Sequence, residues 1–334
     1  MGIECVSVEA PLKATIAGEH AVVYGYPAVV MAIDKKIHIK ICRRPVKILE
    51  VLSRGITITG DLMLRCIDNQ CSGEIPGGSL EKIYSYLLRA IEISGRYFGD
   101  LGGLSIEISS EIPAGAGLGT SAAISAGIVA GYAYLSGRSL DPRSIASIAR
   151  EVEIAVQGAA SPMDTGAISL GGILLVSPRE ADPFKRISVS GDLEILVAVM
   201  PKKKSTRETV AMVREMLSRK RSIVENLLRV IGDISMEVSR AIEAGDLESL
   251  AELININHGI LKALSIVDPD SERIVEILRI SGVDGAKISG GGWGGAIIGI
   301  AKERSRLGHG IDILSRIGVK AFITGVSAEG LRIR

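Results

Sequence analysis

The segment Pro113–Ala123, P-A-G-A-G-L-G-T-S-A-A, constrains this chain more than any other. It stands between a run with strand periodicity, L-S-I-E-I-S-S, and a helical pattern that continues to about Leu135. Alternating glycines let a backbone approach a ligand closely, and the helix start that follows offers unpaired N–H groups at the positive end of a dipole. Such a turn is an anion site, in most cases for phosphate. It runs from Pro113 and Ala114 through Gly115, Ala116, Gly117, Leu118 and Gly119 to the adjacent hydroxyls of Thr120 and Ser121. Two better-known loops are excluded. A Walker loop ends in G-K-[ST], and no Lys follows Gly119; a dinucleotide fingerprint needs Gly where Thr120 stands. The alternative is a tight strand–helix connection with no ligand. Ser121 also offers the hydroxyl oxygen that Mg2+ accepts.

Any attraction for phosphate must be local. Lys and Arg number 39 against 38 Asp and Glu, a net charge of +1, which gives no global pull toward nucleic acid or an anionic membrane. Aromatic residues are 3%, too few for base-stacking platforms. No segment reaches the roughly 18–20 apolar residues of a membrane span, and the N-terminus has no signal pattern, so the expected setting is the cytoplasm. Cys5, Cys42, Cys66 and Cys71 form no C-x-x-C pair and are expected as reduced, buried thiols.

The periodicity describes an α+β chain in two halves. V-S-V-E-A, I-H-I-K-I and I-T-I-T-G alternate as half-buried antiparallel strands. A helix is expected over Leu80–Ile93, capped by Ser79, and another from Asp141-Pro142 to about Gly158. I-S-L-G-G-I-L-L-V reads as strand, and Ser177–Pro183 as a linker. The expected domains are therefore residues 1–182 and 183–334. In the second, L-E-I-L-V-A-V-M is a buried strand, followed by helical patterns over Thr206–Arg219, Ile223–Ala244, Leu247–Leu264 and Ser271–Ile280. The tail alternates strand, glycine loop, strand, helix and strand.

Five further sets of residues could carry chemistry, the alternative being a solvated helix face, a cap or a surface turn. Glu153 and Asp164 flank the Gly158 break, so both can face one cleft, and paired carboxylates suit proton acceptance and Mg2+ binding in phosphoryl transfer. Lys13 lies in an apolar run and needs a partner carboxylate, for which Asp164 is a candidate. Glu19 and His20 adjoin Gly18. Gly290–Gly295, G-G-G-W-G-G, suggests backbone packed against a ligand or the other domain, and K-K-K-S-T-R (Lys202–Arg207), with Thr206, suggests a loop over an anionic substrate.

Three motifs in this order, Ala10–Pro27, Pro113–Ala123 and Lys287–Ala296, resemble the GHMP small-molecule kinases over nearly the whole chain. Within that family G-E-H-A-V-V-Y-G (Gly18–Gly25) is similar to the branch acting on mevalonate rather than on galactose or homoserine. The resemblance implies an N-terminal ribosomal-protein-like α/β domain, a C-terminal ferredoxin-like domain, and ATP and substrate between them. It implies that Asp164 and Lys13 are catalytic, that Ser121 and Glu153 hold Mg2+, and that residues 113–121 cradle the triphosphate. Glu19, His20, Asp164 and Thr206 would bind the alcohol, and Gly291–Gly294 would support the phosphate loop. The implied reaction is phosphorylation of the primary hydroxyl of mevalonate. The rivals are a related alcohol kinase, acting on phosphomevalonate or at the 3-hydroxyl of mevalonate, and a catalytically silent nucleotide-binding module. The oligomeric state is open, a homodimer included. Leu12, Thr120, Pro162 and Trp293 depart from the family's common pattern without removing a chemical group from the site.

Overall fold

Alternation in the N-terminal runs produces two long antiparallel strands, β1 (Cys5–Ala17) and β2 (Ala28–Arg44). The computed structural model describes residues 4–54, 62–67, 70–72 and 79–334; I-T-I-T-G, residues 56–60, lies outside them. β3 (Ile48–Arg54), β4 (Leu62–Ile67) and β5 (Gln70–Ser72) precede α1 (Ser79–Phe98), and β6 (Gly103–Ser110) feeds α2 (Thr120–Leu135). Then come α3 (Pro142–Gln157), α4 (Met163–Leu170), β7 (Ile173–Val176) and β8 (Phe184–Ile187). The rest of the chain forms β9 (Ile195–Met200), α5 (Thr206–Arg219), α6 (Arg221–Ala244), α7 (Leu247–Ala263), α8 (Pro269–Ile280), β10 (Gly285–Ser289), β11 (Gly295–Ile300), α9 (Arg304–Arg316), β12 (Lys320–Thr324) and β13 (Arg332–Ile333).

The first sheet has the order β13-β1-β2-β6-β3-β4-β5, with β7 paired to β2 and β8; the second runs β10-β11-β9-β12. This two-sheet α+β architecture agrees with the reading from periodicity. The sheets divide between Ile187 and Ile195, somewhat beyond residue 182, and β13 returns to the edge of β1. Ser177–Pro183 is not an interdomain linker. It closes the β7–β8 hairpin, the Ser177 N–H donating to the Pro183 carbonyl at 2.8 Å. I-S-L-G-G-I-L-L-V is also divided: its first three residues finish α4, and Gly171 and Gly172, at φ 70° and 71°, turn the chain into β7.

The core of the larger unit lies between the first sheet and α1, α2 and α3. α2 is built of small residues and is buried along nearly its whole length. Gly127 and Gly131 permit this contact, because a Cβ would stand 2.4 Å from Cδ1 of Ile39 and 2.8 Å from Cδ1 of Ile41. Along β1, Val6, Val8, Ala10, Leu12 and Ala14 join this core. The opposite face begins in solvent but becomes buried at Lys13 and Thr15, where the second sheet docks.

The cysteine expectation is corrected. Cys5 and Cys42 face each other in the β1–β2 register, with Cα atoms 4.0 Å apart, and form a disulfide. Bulges after Pro11 and Thr15 help set that register. Cys66 and Cys71 pair in the backbone register of β4 and β5; their side chains lie outside the described residues. Among the described residues no helix is long and apolar enough to cross a membrane.

Candidate active site

Lys13 reaches the site from the middle of β1. Its side chain is buried, and its ammonium lies 3.1 Å from Oδ1 of Asp164 and donates to Oγ1 of Thr15 at 3.3 Å. Burying a cation is costly without a partner, and Asp164 supplies it from the first turn of α4, where a helix N-terminus favours an acid. The carboxylate is 29% exposed, so it meets both the buried amine and solvent. The expected Lys13–Asp164 pairing is present.

Glu153 lies one turn from the end of α3, where Gly158 in the left-handed region turns the chain. Burial pushes its carboxyl up to about 8, and the neighbouring Asp164 adds to this; the Ser121 hydroxyl, Lys13 and Gln157 pull the other way. One oxygen accepts from Gln157 at 3.2 Å, while Oε1 is buried with no partner. A buried carboxylate with a partnerless oxygen beside a hydroxyl is the donor set a hard cation takes. Among the described residues no three His, Cys, Asp or Glu side chains cluster to hold a metal, so ligand oxygens would complete the shell, as is usual for Mg2+.

The glycine loop takes the conformation its residues allow. Gly115, Gly117 and Gly119 have φ of 87°, 76° and 80°, all left-handed. Gly119 is the N-cap of α2, with no side-chain cap, and the first turn holds no acid. The helix start is therefore free to receive an anion. Leu118 accepts the Lys13 N–H at 2.9 Å, fastening the loop to β1. A Cβ at Gly117 would stand 3.1 Å from the Ala296 nitrogen, so the late glycine loop packs against the Gly115–Gly119 loop. The contact runs through its flanks, Gly290 and Gly295, rather than through Gly291–Gly294 as expected. Those inner positions abut Thr206, the Ile266 carbonyl and the Pro201 carbonyl instead. Trp293, at φ 54°, turns away and donates its indole N–H to the Ser265 carbonyl at 3.1 Å.

Glu19 and His20 are buried beside this loop. Glu19 forms an ion pair with Lys287 of β10, both side chains being almost fully enclosed. Burial pulls the His20 imidazole down to about 4, and Lys202 acts in the same direction. Neutral His20 has its Nε2 3.1 Å from the Gly291 carbonyl, to which it donates, and its Nδ1 is a buried acceptor without a partner. Thr206 opens α5 and accepts from Lys202 at 3.1 Å. Lys203 is tied to Asp268 and Asp270, so not all of K-K-K-S-T-R faces a ligand.

Three residues beside the site have little signal in the sequence pattern. Tyr86 of α1 lies beside Ser121, Glu153 and Asp164, and burial, with those two carboxylates, pushes its hydroxyl up. Thr15 and Ser289 join the two sheets: the Ser289 hydroxyl accepts the Thr15 N–H at 2.8 Å and donates to the Thr15 carbonyl at 3.1 Å. Tyr86 reads as one more helix-face residue. The polar alternation of Lys13 with Thr15 and of Lys287 with Ser289 is the one cue that these strand faces meet something polar.

A partly exposed carboxylate, a buried amine against it, a second buried carboxyl and an uncapped helix start suit a phosphotransferase site. Sequence comparison agrees. The GHMP kinases N terminal domain profile matches residues 85–172 and the GHMP kinases C terminal profile residues 238–320. The chain is 33% identical over 337 residues to mevalonate kinase of Pyrococcus horikoshii, covering 99% of this chain and 98% of that one. It is 34% identical to mevalonate kinase of Saccharolobus solfataricus over 88% of this chain and 89% of the relative. The solved mevalonate kinase of Methanococcus jannaschii superposes with a TM-score of 0.76 at 27% identity, over 96% and 98% of the two chains. The chain belongs to the GHMP kinase family.

Proposed function

We propose that this chain transfers the terminal phosphoryl group of ATP to the primary hydroxyl of mevalonate. The observation that carries this reading is the 3.1 Å pairing of Lys13 with Asp164 beside the uncapped start of α2. Asp164 orients the hydroxyl and takes its proton as the oxygen attacks the phosphorus and ADP departs. Lys13 holds Asp164 in place through their ion pair and meets the charge that grows on the transferring group. N–H groups of the Gly115–Ser121 stretch hold the phosphates, and Tyr86 lies beside Ser121. Ser121 and Glu153 would hold Mg2+, which when bound neutralises phosphate charge. Glu19, His20 and Thr206 line the alcohol side.

The full-length likeness to mevalonate kinases supports this acceptor over others in the family. The setting we propose is the cytoplasm. ADP release measured with mevalonate, phosphomevalonate, galactose and homoserine tests the reading. Turnover with mevalonate above the other three is the expected result. Preference for another acceptor would replace the substrate, and silence on all four would favour a nucleotide-binding module without catalysis.

A further inference from the structure

We propose that Lys287 is a positioning residue of the substrate pocket: paired with Glu19 inside the fold, it fixes the Glu19–His20 segment against the second sheet. The proposal rests on the mevalonate reading given above. Lys287 lies mid-strand in β10, whose alternate residues Ala286 and Ile288 enter the second core. Its own face, shared with Ser289, turns instead to the first sheet, where Ser289 holds Thr15 and Thr15 accepts from Lys13. Lys287 is thus one strand step from the contact that seats the catalytic amine.

Stability alone does not account for this pair. A buried ion pair is in general matched or exceeded in stability by well-packed apolar residues of the same volume, because both charges lose their water. What the pair does supply is a fixed place for Glu19. Glu19 and His20 are each anchored by one polar atom to the same short stretch, Glu19 to Lys287 and His20 to Gly291. Each also keeps one buried polar atom without a partner, Glu19 Oε2 and His20 Nδ1. Two adjacent acceptors held in register suit the hydroxyl hydrogens of a polyol-like acid. Releasing the Lys287 anchor frees one of them to rotate while leaving the phosphate loop in place.

Steady-state kinetics of Lys287→Met tests this. The expected result is a KM for mevalonate raised about tenfold or more, with the KM for ATP changed less than about twofold. Lys287→Gln, which keeps a donor for Glu19 and removes the charge, should fall between the two and provides the same measurement where the Met variant fails to fold. A KM for mevalonate that stays unchanged while the melting temperature falls would overturn the proposal, as would equal rises in both KM values. A wild-type chain that ignores mevalonate would overturn the functional reading and the proposal with it. An active wild type with unsplit variants would overturn the role of Lys287 alone.

Discussion

A methyl group at residue 119 would stand 2.8 Å from Cγ of Lys13 and 3.2 Å from its Cε. Gly119 thus serves two ends at once: it turns the chain at φ 80° into α2 and leaves the space through which Lys13 reaches Asp164. Gly119→Ala is expected to retain the fold and lower kcat by about 10²-fold, since a small displacement of a reacting group has costs of that size. Circular dichroism and ADP release on one preparation check both halves.

Asp164→Asn keeps the shape of the side chain and removes the proposed base. Turnover is expected to fall by about 10²-fold or more, with ATP affinity largely kept, because the phosphate loop lies on a different element. Nucleotide binding by calorimetry next to single-turnover kinetics separates the two effects; full activity in the variant would remove Asp164 from the chemistry.

Glu153→Ala is expected to raise the Mg2+ concentration for half-maximal activity by about tenfold or more, while the fold is preserved because the partnerless oxygen is lost with the carboxyl. A Mg2+ titration at saturating substrates gives the answer.

The Cys5–Cys42 bridge closes a loop with a sequence separation of 37. By chain entropy its loss costs about 3–4 kcal/mol. Cys5→Ser is expected to melt well below the wild type in the absence of reductant and at a similar temperature to the wild type in its presence. Its kcat at moderate temperature should be unchanged, because the bridge sits at the end of β1 remote from Lys13.

His258 titrates out of its ordinary range. Burial pulls it down to about 4, the cations Arg279 and Lys287 assist, and Glu272 opposes. Its Nδ1 accepts the Ile288 N–H at 3.4 Å and its Nε2 lies 3.1 Å from Glu272, so a second ring proton would meet a donor. The folded state therefore binds fewer protons than the unfolded state between about pH 6.5 and 4, and stability declines as pH falls through that window. Between pH 7 and 5 the wild type is expected to lose about 2 kcal/mol more than His258→Gln. Urea unfolding at the two pH values measures the difference.

The sequence made the local elements legible and left their meetings hidden. Period two identified β1, β2 and β6, and the Asp141 cap and Gly158 turn bounded α3 because capping is a local matter. Lys13 was conspicuous as a charge in an apolar run, and its pairing with Asp164 could be anticipated from the need for a counter-charge. The disulfide could not, because facing Cys5 with Cys42 depends on bulges that shift the register of a long strand pair. Lys287 and Ser289 sit in a five-residue strand, and what they touch is decided by the docking of one sheet on another. The division of I-S-L-G-G-I-L-L-V was missed because short apolar runs look alike in helix and strand.

The Ser289 hydroxyl satisfies both the N–H and the C=O of Thr15. One side chain thus fastens the first sheet to the second through two bonds. Ser289→Ala would take both bonds at once and leave the Thr15 backbone, two residues from Lys13, to find other partners.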